Sequence, residues 1–155
     1  MTAKNNLKKT TVHHITGMRF VGITPDQQRV MIDGSQDAKT GMNPMELVLN
    51  ALGACAAFDI AEMVRKRRLD LHGYRVELEG TRAEESPRYY THIHATHFFD
   101  APGLTQDIAE RFVDLGMNKY CSVASSLKAE ISFDVVLEHE QTDNNQTDSN
   151  QTDAA

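Results

Sequence analysis

The chain has 155 residues, enough for one domain with its own apolar core, and its two cysteines are too few for a disulfide framework. Lys and Arg number 16 against 22 Asp and Glu, a net charge of −6, but residues 138–155 hold five of the acids and no Lys or Arg, so the body is close to neutral and neither nucleic acid nor an anionic membrane is an expected partner. The opening MTAKNNLKKTT lacks the apolar core of a secretory signal and no stretch is expected to span a bilayer, so the expectation is a cytoplasmic protein with reduced thiols.

In chain order, residues 1–10 are polar and are expected to be disordered. Two runs with strand character follow, 12–21 and 29–33, separated by the turn formers Gly22, Pro25 and Asp26, which predicts a hairpin or short meander. A loop, SQDAKTGM, leads to residues 43–68, NPMELVLNALGACAAFDIAEMVRKRR, where one long helix is expected. Asn43 can cap it, Pro44 supplies a preset φ, and Glu46 sits where a capping-box carboxyl reaches back. Residues 47–58 are apolar or small almost all the way round, which predicts burial on most sides, and the closing RKRR places cations at the negative end of the helix dipole.

Residues 69–80 alternate through Leu71, Tyr74, Val76 and Leu78, and 89–99 set Ile93, Ala95, His97 and Phe99 on one side, so an antiparallel pair joined by the turn AEESP is expected. Thr105 can cap a second helix to about residue 118, with Ile108, Ala109, Phe112, Leu115 and Gly116 on its inner face. Cys121, a short helical piece at 122–128 and a last strand at 131–137 complete a single α+β domain over 11–138. The tail, 139–155, repeats QTD with no apolar side chain bulkier than alanine and is expected to be disordered.

Cys55, near the middle of a buried helix, reads by itself as a small apolar core residue. Cys121 alters that reading: it stands where one helix ends and the next begins, so backbone N–H groups there can lower its pKa, with Lys119 beside it. Two thiols on separate helical elements suit a pair that cycles between dithiol and disulfide, although spacing does not show that they meet. His13 with His14, and His92 with His94, are the competing metal candidates. His92 and His94 share a strand face, but no CxxC accompanies them and no metal site is expected.

The run NPMELVLNALGAC, with KYCSVASSL at 119–127, resembles the OsmC/Ohr family, the osmotically induced protein C and organic hydroperoxide resistance proteins, and within it the YhfA-like branch. The resemblance extends from about residue 16 to 137. It implies an intertwined homodimer of α+β fold, with antiparallel sheets packed around long central cysteine-bearing helices and active sites at the dimer interface. It also implies a thiol-dependent peroxidase for oxidative-stress defence that reduces organic hydroperoxides, with Cys55 as the peroxidatic and Cys121 as the resolving thiol. The reductant would be an external dithiol such as a protein-bound lipoyl group, with no dissociable cofactor.

The family holds its thiolate with an arginine from the N-terminal strands, which falls on Arg19 in TGMRFVG, with Arg29 as the alternative. Its helix-borne carboxylate falls on Met45. Glu46 is the next residue, about 100° round the helix, and reads either as a displaced catalytic carboxylate or as the capping-box residue alone. Asp59, one turn after Cys55, is a further carboxylate in reach. The alternative reading is a non-catalytic protein of this family that binds a small apolar or electrophilic molecule in a cavity next to Cys55, where Met18, Met31, Met42, Met45 and Met63 would form a pliable lining. A structural or stress-induced protein without a small-molecule partner is a third.

Overall fold

A computed structural model describes residues 6–37 and 40–138, so the expectations for residues 1–5 and for the tail 139–155 lie outside the described residues. The chain forms two compact units, one up to Val48 and one from Leu49.

The first unit is a three-stranded antiparallel sheet in the order β1 (Thr11–Thr16), β2 (Arg19–Ile23), β3 (Arg29–Asp33). The run expected as one strand over 12–21 is two: the chain reverses at Gly17, whose φ of 55° is open to glycine at little cost, and a bulge between His14 and Thr16 tightens the hairpin. Val12, Met18, Val30 and Met31 remain exposed on this unit.

Helix α1 (Pro44–Lys66) begins at the end of the first unit and runs into the second. Its start follows the sequence signals closely: Asn43 Oδ1 accepts the N–H groups of Met45 at 2.9 Å and Glu46 at 3.0 Å, and Glu46 Oε2 accepts Asn43 N–H at 2.9 Å. That reciprocal box satisfies orphan donors of the first turn. Asn43→Ala should cost about 1 kcal/mol of stability, read as a lower urea midpoint.

In the second unit β4 (Gly73–Arg82), β5 (Tyr90–Asp100) and β6 (Glu130–Leu137) form a sheet in that order, with β4 antiparallel and β6 parallel to the central β5. The parallel pair corrects the expectation of purely antiparallel sheets. It requires a crossover, which α2 (Gln106–Asp114), a π-helical segment (Leu115–Tyr120) and one 3-10 turn (Ala124–Ser126) provide. The second helix therefore widens into π-helical turns at Leu115–Tyr120, where a continuous α-helix to 118 was expected. Thr105 stands at the cap without a side-chain bond to the helix, and the buried residues of α2 are Ala109, Phe112 and Val113.

The core of this unit lies on the sheet face that carries Ile93, Ala95, His97 and Phe99, as the alternation predicted. Leu52, Gly53, Ala56, Ile60 and Val64 of α1 are buried, and Gly53 lies so close to β4 that a Cβ would come within 2.7 Å of Leu78. The π-helical segment crosses α1 at Gly116, where a Cβ would lie 2.6 Å from Ile60 Cγ1 and 3.4 Å from the Ala56 carbonyl oxygen. Gly116→Ala should destabilise by about 1–3 kcal/mol through overpacking of a wholly buried crossing, measured as a lower melting temperature.

Two expectations about α1 are corrected. It is buried on one side of this chain and not on most sides: Ala51 and Ala54 are exposed and Phe58 is 78% exposed, because the chain's own sheet offers only one surface to it. By length and composition α1 is also apolar enough to cross a membrane, since Asp59 is the one charge between Leu47 and Ala61. One such helix is weak evidence for a membrane, since the core helix of a soluble protein meets the same criterion, and Leu52, Ala56, Ile60 and Val64 of α1 are buried.

Candidate active site

The second unit brings the two cysteines together. Cys55 sits on the flank of α1 between its buried row and its exposed row, half-buried, while Cys121 caps the π-helical segment with extended backbone (φ −70°, ψ 105°) and is 1% exposed. The Cys121 Sγ accepts the Ala124 N–H at 3.3 Å and lies 3.9 Å from the Leu52 carbonyl oxygen, one turn before Cys55 on α1. Both thiols are free.

Burial pushes the Cys121 thiol up, and a direct thiol–thiol interaction with Cys55 pushes it further in the same direction. The Ala124 N–H pulls it down by less. This corrects the expectation that backbone donors would lower the Cys121 pKa: the Ala124 and Val123 N–H groups do act in that direction, but loss of water outweighs them. The two thiols therefore differ in kind, one reachable from solvent and one kept protonated in the core.

Arg19 belongs to the first unit. Its Nε donates to Asp33 Oδ2 at 3.1 Å, across the β2–β3 pair in which the two residues stand opposite each other. Arg29 is exposed on β3. Glu46 serves the cap described above, whatever else it touches, so Glu46→Ala should act on stability by about 1 kcal/mol.

The cleft that α1 lines in the second unit has a volume of about 190 Å³ and is bounded by Asn50, Ala54, Ala57, Tyr74 and Leu78 among others. At 100° per residue its α1 residues centre roughly 150° round the helix from Cys55. This cleft is on the flank of α1 away from Cys55. Met18, Met31 and Met42 are exposed.

Among the described residues no group of three or more His, Cys, Asp or Glu is placed to hold a metal ion. His92 and His94 turn to carboxylates on β6, at 3.3 Å from Glu130 and 3.3 Å from Asp134. Sequence reasoning missed the burial of Asp33, for which the following Gly34-Ser35 is a turn signal. His97, placed on the inner strand face by the alternation, is wholly buried with its Nδ1 2.8 Å from the Tyr74 hydroxyl.

Residues 34–136 match the profile of the family described as OsmC-like protein. Protein YhfA of Escherichia coli strain K12 is 35% identical over 129 residues, covering 81% of this chain and 96% of that protein. An OsmC-like protein of unknown function from Vibrio cholerae superposes with a TM-score of 0.74 at 14% identity, over 84% of this chain and 99% of its own. A Legionella pneumophila protein described as organic hydroperoxide resistance protein OsmC superposes with a TM-score of 0.57 at 16% identity, over 86% of this chain and 98% of its own. At these identities the two structural likenesses are likenesses of fold. Arg19 and Asp33 lie ahead of the matched span, and both cysteines lie inside it.

Proposed function

This chain belongs to the OsmC-like protein family, and from that premise we propose that it is a thiol-dependent peroxidase that reduces organic hydroperoxides through Cys55 and Cys121. The observation that carries the reading is the interaction between a half-buried free thiol, Cys55, and a buried free thiol, Cys121, whose pKa burial raises. A relative of the same fold named as an organic hydroperoxide resistance protein supports it.

In this mechanism the Cys55 thiolate attacks the outer peroxide oxygen, the O–O bond breaks, and the alkoxide takes a proton and leaves as an alcohol. Cys55 is then a sulfenic acid, oxidised by two electrons. The Cys121 sulfur attacks the Cys55 sulfur, and its proton leaves with the hydroxyl group as water, which closes the disulfide. An external dithiol, of the lipoyl type or dithiothreitol, returns two electrons and two protons. Arg19 is the residue assigned to hold the thiolate, with Arg29 as its alternative, and the site is proposed to work in the cytoplasm without a dissociable cofactor. Turnover of cumene hydroperoxide with dithiothreitol or dihydrolipoamide tests the reading: wild type should turn over and Cys55→Ser should not.

A second copy of the chain is proposed to cover the exposed row Ala51, Ala54 and Phe58 of α1, since an apolar stripe of this kind on a core helix is stable only against another apolar surface. Sedimentation should show a dimer at micromolar concentration; a stable monomer would defeat the homodimer.

The second reading, a binding protein for a small apolar or electrophilic molecule, is favoured by Met45, which stands where the family's carboxylate falls. It would use the cleft beside Tyr74, so Ala57→Leu should abolish ligand binding there while Cys55→Ser leaves it intact.

A further inference from the structure

A sheet edge leaves a row of backbone N–H and C=O groups without a neighbouring strand, and β6 is such an edge in the second unit. In a parallel ladder alternate residues turn both backbone groups to the neighbouring strand, and the residues between turn both away. The Val135 carbonyl accepts Gln106 Nε2 from α2 at 3.1 Å, so Val135 belongs to the outward set, and by the same period Phe133 does too. The outward groups of Phe133 and the N–H of Val135 have no backbone partner among the described residues.

This edge opens on a groove of about 860 Å³ between residues 133–136 and the exposed side chains of α2. Gln106, tied to Val135, marks the side of α2 that is turned to the strand. At 100° per residue Glu110 stands about 40° from it, Asp114 about 80°, Asp107 about 100° and Arg111 about 140°. The three carboxylates therefore stand between the strand edge and the guanidinium, which lies on the outer rim. Glu110 and Asp114 accept neutral amides, from Gln106 at 2.7 Å and from Asn118 at 2.8 Å, and these bonds leave their charge in place. Asp134 adds a fourth carboxylate from the other face of β6, where His94 meets it at 3.3 Å.

We propose that the β6 edge is a docking site for a basic segment of a partner protein, which adds to the sheet as an extended strand with lysine or arginine at every second position against α2. Period two is the spacing at which the side chains of an added strand fall on one face. Charge decides between occupants. Residues 138–155 of this chain hold five acids and no Lys or Arg, and a second copy of the edge would bring the same carboxylates together, so like charge opposes both. The inference uses neither cysteine and stands or falls apart from the peroxidase reading.

The test is the fluorescence anisotropy of a short labelled peptide of alternating lysine and threonine, titrated with the full-length protein. It should bind, and the same peptide with glutamate for lysine should bind at least about tenfold more weakly. Because hydrogen bonding and side-chain direction share one period, N-methylation of all the lysines or of all the threonines removes donors from one side of the strand only. One methylated peptide should lose at least about tenfold in affinity and the other less than about twofold. Equal effects of the two would mean that charge alone holds the peptide, and no binding of the unmethylated lysine peptide would remove the site; either overturns the proposal.

On the protein side, Val135→Pro deletes an outward N–H, which proline tolerates at an edge, and should abolish peptide binding with sedimentation unchanged. Asp107→Lys, on the exposed face of α2, should weaken binding about three- to tenfold even if the proline variant folds poorly. A Val135→Pro protein that falls to a smaller species would make a second copy the occupant. Deletion of residues 141–155 should change the affinity by less than about twofold, and a tenfold tightening would make the chain's own tail the occupant. Either of these results would overturn the basic partner.

Discussion

In Cys121→Ser, about one equivalent of organic hydroperoxide is consumed quickly and the reaction then stalls; in Cys55→Ser, essentially none is consumed on that timescale. The difference follows from exposure. Cys55 is half-buried at the edge of α1 and can meet a peroxide, while Cys121 is sealed in the core with its thiol held protonated by burial. A protonated thiol is a poor nucleophile toward peroxide, so Cys121 has no work until a sulfenic acid forms beside it. Loss of either cysteine should lower steady-state turnover by at least about a hundredfold, which corresponds to about 3 kcal/mol in the barrier. Intact mass distinguishes the two failures: wild type loses two hydrogens on oxidation, and Cys121→Ser gains one or two oxygens. If Cys121→Ser stays unmodified and Cys55→Ser gains oxygen, the roles are reversed. If wild type forms no intramolecular disulfide under peroxide, the two-cysteine mechanism fails.

Acid should unfold the protein earlier than its carboxylates alone require, and His97 is the reason. The ring is wholly buried on β5 against Tyr74 and Phe133, with Nδ1 engaged by the Tyr74 hydroxyl and Nε2 without a hydrogen-bond partner among the described residues. Burial lowers its pKa from 6.5 to about 4. A depressed folded-state pKa means that the unfolded chain binds the proton first. The histidine's contribution is therefore full above pH 6.5, is lost as pH falls from 6.5 to about 4, and changes no further below that. Across that window the slope is up to about 1.4 kcal/mol per pH unit and the total about 3 kcal/mol. Asp33, whose carboxyl is held below 3.8, loses its contribution in a lower window, so the two can be told apart. Urea midpoints at pH 7, 5.5 and 4 should fall steeply in wild type and by about one proton's slope less in His97→Phe. Equal slopes in the two proteins would mean that His97 is already solvated or charged in the folded state.

What the sequence determined by itself is what depends on neighbours along the chain. The Asn43–Glu46 box appears as expected because capping is a matter of side chains three residues apart. The one-sided burial of Ile93, Ala95, His97 and Phe99 follows from the period of a strand. The cysteine motifs were legible as a family resemblance, and the match over residues 34–136 agrees with it.

Long-range packing decided the rest. No local rule states that β6 joins β5 in parallel, because that choice is made by the crossover through α2 and the π-helical segment. The same crossover carries Cys121 to the carbonyl of Leu52, which is how two thiols 66 positions apart come into contact. The sign of the Cys121 shift was invisible for the same reason: the Ala124 donor is local, but the desolvation that outweighs it is created by residues distant in sequence. Asp33 reads as an ordinary turn residue until β2 pairs with β3 in the register that sets Arg19 opposite it, and only that pairing shows how a carboxylate can be buried there.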